Sequence, residues 1–108
     1  MARVAKYGDT VSVHYTGKLT NGSVFDTSRK KLAKELGIYD PNHDYKPLTF
    51  TIGKGQVIKG FEEAVVGMRI GETKTVTIPP SKAYGRSGKH RLAGKTLVFD
   101  ITLMDILS

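Results

Sequence analysis

Between Thr10 and Tyr15 the apolar residues Val11, Val13 and Tyr15 alternate with Thr10, Ser12 and His14. That period of two is the pattern of a half-buried strand. Asn21-Gly22 is a strong turn signal, so Lys18 to Phe25 continues as a hairpin. Leu48, Phe50 and Ile52 alternate with Thr49 and Thr51 in a third strand, and Lys74 to Ile78 reads as a fourth with Val76 and Ile78 as its apolar set. Lys95 to Leu107 is the longest, with Leu97, Phe99, Ile101 and Leu103 on one face and Val98, Asp100, Thr102 and Met104 on the other.

Helix is scarce. Phe61 to Val66 reads as a short helix stopped by Gly67, and Lys30 to Leu36 as another, with Ser28 as its cap and Gly37 as its stop. Pro79-Pro80 ends the fourth strand, and Ser81 to Tyr84 fits one tight helical turn. The sum is an α+β domain, a twisted antiparallel sheet of about five strands wrapped around one short α-helix. Residues 27–47 form a long connection for so small a domain, and long connections in compact domains are functional or disordered. Its predicted helix and the tyrosines Tyr39 and Tyr45 argue for order, beside whatever site the domain carries.

Composition sets bounds on the chemistry. A chain of 108 residues is read as a single domain, and one that size buries roughly two-thirds of its unfolded surface without staples. It has no cysteine, which excludes disulfides, zinc-thiolate sites and thiol catalysis. No stretch has the apolar run of a signal peptide or a membrane span, so a cytoplasmic protein is the expectation. The net charge of +7 is partly local: Lys82, Arg86, Lys89, Arg91 and Lys95 fall in a segment with no acid. With Tyr84 the only aromatic there, base stacking has little support, and the segment reads as a solvated basic loop rather than a nucleic-acid surface. His14, His43 and His90 show no ligand spacing, so neither a metal nor a cofactor is expected.

The most informative stretch runs from Gly53 to Met68. Val57 and Ile58 are adjacent β-branched residues where a loop turns into a helix, and Phe61 follows close behind. They are out of place unless they line a concave apolar wall, the kind that binds small hydrophobic groups. A dinucleotide reading of Gly53-x-Gly55 fails, because Ile58 stands where the third glycine belongs and no second βαβ unit follows. Further apolar residues fall near loop mouths (Tyr15, Phe25, Leu48, Tyr84, Leu92, Phe99), and one acid, Asp26, directly follows Phe25.

The order and spacing of these segments resemble the FKBP family of peptidyl-prolyl cis/trans isomerases. The resemblance rests on Val13 to Leu19, Asn21 to Ser28, Pro47 to Phe50, Gly53 to Met68, Pro79-Pro80 with Ala83-Tyr84-Gly85, and Thr96 to Asp100. It implies a proline pocket lined by Tyr15, Phe25, Asp26, Leu48, Val57, Ile58, Phe61, Tyr84 and Phe99. Phe61 would be its floor, where many relatives have tryptophan, and Leu92 its apolar lid. The Ile58 N–H and the Tyr84 hydroxyl would hold ligand carbonyls, which makes Asp26, Tyr84 and Ile58 the catalytic set. The implied partners are proline-containing peptides, unfolded or partly folded proteins, and macrolides such as tacrolimus and rapamycin. A monomer is expected.

Such chemistry requires neither nucleophile nor metal. Rotation about a peptide bond breaks amide resonance against a barrier of ~18–20 kcal/mol, while the two Xaa-Pro isomers lie within ~1 kcal/mol. The Asp26 carboxylate is expected to stabilise the reoriented carbonyl dipole and to anchor Tyr84; alternatively it only orders the hairpin end. Two features depart from minimal family members. The connection at 27–47 is longer, like the insert of archaeal short-type FKBPs, and leaves Arg29 as the candidate for the family's arginine near the pocket acid. The flap at 85–95 is short and lacks the chaperone domain that those archaeal relatives carry there. A non-catalytic binder of proline segments, a weak folding chaperone and a basic nucleic-acid module remain the alternatives.

Overall fold

The structure, a computed structural model, describes residues 3–108. Its elements in chain order are β1 (Thr10–Leu19), β2 (Val24–Thr27), α1 (Lys30–Glu35), β3 (Leu48–Thr51), α2 (Lys59–Val65), β4 (Thr73–Ile78), a 3-10 turn (Pro80–Lys82) and β5 (Leu97–Ile106). The five strands form one antiparallel sheet in the order β2-β1-β5-β4, and β3 also pairs with β1. β5 takes one edge of β1 along nearly its whole length. The other edge is shared: β3 pairs with Thr10–Val13 and β2 with Thr16–Lys18. The long connection therefore leaves β1 beside His14 and Tyr15, which Ser28 bonds, and returns to it at Val13, which pairs with Leu48.

The expected α+β arrangement is present, and the alternating positions become its core. Val11, Val13, Leu97, Ile101 and Leu103 are fully buried and pack with Phe50, Ile52, Phe61, Val65 and Met68. Burying each such side chain contributes about 1.5–3 kcal/mol, which is what holds α2 against the sheet. Gly60 permits the approach, because a Cβ there would overlap the Ile78 side chain of β4. The alternation of β5 breaks once: Ser12 faces Asp105 and Val13 faces Leu103, so Met104 is an extra residue and Ile106 returns to the inside.

Helix ends follow the predicted chemistry at one terminus and depart from it at the other. Gly37 has φ +72°, its N–H bonds Lys34 O, and the Ile38 N–H bonds Ala33 O, a left-handed stop that satisfies the last carbonyls of α1. Ser28 does not cap α1. Arg29 holds the cap position without a side-chain bond, and Ser28 is buried against β1. There its Oγ accepts the Tyr15 N–H at 2.7 Å and pairs with His14 Nδ1 at 2.9 Å. Two partners in a buried setting outweigh one exposed cap bond.

Candidate functional site

Among the surface depressions, one of about 240 Å³ is walled mainly by aromatic and aliphatic side chains. A larger one beside Leu19–Asn21 and Gly94–Thr96 is lined by polar turns. The aromatic cavity gathers Tyr15, Phe25, Asp26, Leu48, Val57, Ile58, Phe61, Tyr84 and Phe99, so the residues predicted from separate segments meet in one place.

Phe61, on the first turn of α2, is 3% exposed and meets three rings edge-on. Its centroid lies 5.3 Å from Phe99, 5.8 Å from Phe50 and 5.9 Å from Tyr15. Phe25 stands edge-on to Phe99 at 5.7 Å. Such contacts favour these orientations and make the walls stiff.

Phe25 and Asp26 both line this cavity, although neighbours in a regular strand face opposite ways. A bulge resolves the conflict: Gly17 pairs with Asp26 while Lys18 pairs with Val24, leaving Phe25 as the extra residue that turns its ring inward. Gly17 makes the space for that ring. A Cβ there would lie 2.6 Å from Phe25 Cζ and 2.8 Å from Phe99 Cε1.

One charged group enters the wall. The Tyr15 hydroxyl donates to Asp26 Oδ2 at 2.9 Å and fixes the carboxylate. Burial raises the Tyr15 phenol well above its usual range, and the Asp26 charge and hydrogen bond add to the rise. Tyr15 therefore stays a donor at any physiological pH. The expected anchoring of Tyr84 by Asp26 is not found: no hydrogen bond joins the two among the described residues, and the Tyr15 hydroxyl bonds the carboxylate instead. Arg29 makes no ion pair or hydrogen bond with Asp26 among the described residues; its guanidinium reaches Thr102 Oγ1 at 3.4 Å.

Ile58 is extended (φ −60°, ψ 147°) immediately before α2, and its N–H has no acceptor among the described residues. Gln56, missed in the sequence reading, also lines the cavity, and its Oε1 accepts the Thr51 N–H at 2.8 Å, tying this loop to β3.

Tyr84 follows the 3-10 turn and is 37% exposed. His90 stacks flat on it, with centroids 3.8 Å apart and planes within 3°, a partner that nothing in the spacing signalled. His90 Nδ1 accepts the Leu92 N–H at 3.0 Å, and the Gly94 N–H bonds Gly85 O at 2.6 Å to close the loop. Leu92 itself is not a lid. It is 4% exposed and part of the core, so it anchors the flap from below. A loop this short has one leucine with which to hold itself down, and burial in the core stabilises it more than half-exposure over a cavity would.

Residues 2–104 match the family model described as FKBP-type peptidyl-prolyl cis-trans isomerase. The chain belongs to this family. A short-type peptidyl-prolyl cis-trans isomerase of Methanocaldococcus jannaschii is 52% identical over 85 residues, which cover 79% of this FKBP chain and 54% of the relative. FK506-binding protein 2 of Yarrowia lipolytica is 43% identical over 104 residues, covering 94% of this chain and 63% of that protein. FK506-binding protein 1A of Neurospora crassa is 42% identical over 106 residues, covering 96% and 78%. This FKBP chain thus spans about half the length of the short-type relative and 19% of FK506-binding protein 4 of Chaetomium thermophilum.

Proposed function

We propose that this chain accelerates cis/trans rotation about Xaa-Pro bonds in peptides and in unfolded or partly folded proteins, with the proline ring seated on Phe61. The observation that carries this reading is the 240 Å³ aromatic cavity with a single carboxylate, Asp26, held at its wall by the Tyr15 hydroxyl. A pyrrolidine ring fits among Tyr15, Phe25, Phe61 and Phe99, and the rigid edge-on packing of those rings keeps the site formed.

The chemistry needs only positioning and polarity. A twisted amide has lost resonance and is less polar than a planar one, so apolar walls favour it over the planar ground state. The Ile58 N–H and the Tyr84 hydroxyl are the donors at the cavity mouth for substrate carbonyls, which fixes one side of the bond while the other turns. The Asp26 carboxylate stabilises the carbonyl dipole as it reorients. Lowering the barrier by ~4 kcal/mol speeds rotation about a thousandfold. The same walls and donors suit tacrolimus and rapamycin, which we place in this cavity.

The test is refolding of a protein whose slow phase is limited by proline isomerisation. Catalytic amounts of this chain should accelerate that phase, and rapamycin should abolish the acceleration. Rapamycin binding with no acceleration would replace the isomerase reading with that of a non-catalytic proline-segment binder.

A further inference from the structure

A second depression adjoins the aromatic cavity and is built largely by the inserted connection. Its volume is about 320 Å³, and it shares Tyr15 and Leu48 with the first. Its remaining walls come from the return leg of the insert, chiefly His43, Asp44, Lys46 and Pro47. The placement follows from the sheet: the insert leaves at Ser28, which bonds Tyr15 on β1, and returns at Pro47, just before Leu48, which pairs with Val13 two residues along the same strand. The leg is ordered by its own packing. His43 lies against Tyr45 at 4.4 Å, Tyr45 stacks on Tyr39 at 5.6 Å, and the Tyr45 hydroxyl accepts the Asp40 N–H at 3.0 Å.

The geometry points to a second peptide subsite, in which the insert holds the polypeptide residues flanking the proline. This rests on the isomerase reading and extends it from the proline ring to its neighbours. Three observations select a peptide as occupant. The depression borders the proline cavity at Tyr15 and Leu48, so it lies next to a chain that leaves the cavity on that side. Its lining is mixed, with Leu48 and Pro47 beside Thr49 and the Asp44–Lys46 ion pair, as an amide backbone with varied side chains requires. Both charged side chains are largely exposed (78% for Asp44 and 71% for Lys46) and so are free to turn toward a bound chain.

The test titrates labelled protein with a Leu-Pro tetrapeptide and with versions lengthened before or after the proline, following backbone amides by NMR. Every peptide should shift the amides of Ile58 and Phe61. A lengthened one should also shift those of His43 to Lys46 and bind about fivefold tighter, the effect of one or two added polar contacts. The double variant D44A/K46A, both positions being exposed and outside the core, should lose that gain and keep tetrapeptide affinity. A lengthened peptide that binds no tighter, or whose gain survives D44A/K46A without shifts at His43 to Lys46, overturns the subsite while leaving the proline pocket intact. If no peptide shifts Ile58 or Phe61, the isomerase reading fails and the subsite falls with it.

Discussion

Replacing Gly17 with alanine adds one methyl group at the point where β1 passes beneath two aromatic rings. That methyl would lie 2.6 Å from Phe25 Cζ and 2.8 Å from Phe99 Cε1, well inside contact distance for both. Phe99 cannot yield, since it is 6% exposed and wedged against Phe61 at 5.3 Å and Tyr15 at 6.2 Å. Phe25 is half-buried, and its open side is the cavity, so its ring must swing into the space proposed for proline. Overpacking of this kind costs ~1–3 kcal/mol, offset by ~0.4–1 kcal/mol because alanine restricts the unfolded chain. The net destabilisation is about 1–2 kcal/mol, a fall in Tm of roughly 5–10 °C for a domain of this size. Affinity for a proline peptide should fall more steeply than stability, by at least about tenfold, because the displaced ring fills the site. Urea denaturation and peptide titration of Gly17→Ala check both numbers. A variant with unchanged stability and unchanged peptide affinity would show that Phe25 is not held where the bulge places it, and would refute the reasoning.

Other consequences are equally specific. Asp26→Ala should keep its fold by circular dichroism and lose about tenfold or more in kcat/KM on a proline peptide; near-full activity would remove the electrostatic role from Asp26. Tyr15→Phe deletes the donor that fixes Asp26 and should lower stability by about 1 kcal/mol in denaturant melts, with KM rising less than kcat falls. Phe61→Ala removes the floor under three rings and should cost ~3–5 kcal/mol, enough to bring thermal unfolding close to assay temperature. The folded His14 pKa is lowered from 6.5, by burial first and then by the Arg29 charge. The unfolded chain therefore binds this proton more readily, so the stability it contributes is present above pH 6.5 and declines as pH falls below it. Denaturant midpoints at pH 7.5 and 5.5 should show that loss, and His14→Gln should reduce it.

The strands were legible because their burial is one-sided: the Val11-Val13 and Leu97-to-Leu103 alternations leave one choice of inward face. The cavity was legible because Val57, Ile58 and Phe61 have no other reason to cluster at a loop-to-helix junction. What escaped depends on partners distant in sequence. Alternation places Phe25 and Asp26 on opposite faces, and only the register against Gly17 and Lys18 reveals the bulge that unites them. Ser28 fits the chemistry of a cap, yet the backbone and side chain it bonds lie 13 and 14 residues away. Leu92 and His90 sit in a polar, aperiodic loop where no pattern distinguishes a lid, a core anchor and a ring that stacks on Tyr84.

The most direct measurement is NMR exchange between the cis and trans forms of a short Leu-Pro or Phe-Pro peptide at catalytic protein concentration, with and without rapamycin. Exchange accelerated over the spontaneous rate, and returned to that rate by rapamycin, is the expected result and places the activity in the cavity of Tyr15, Asp26, Ile58 and Tyr84. Exchange that stays at the spontaneous rate would contradict isomerisation by this chain, whatever the cavity binds.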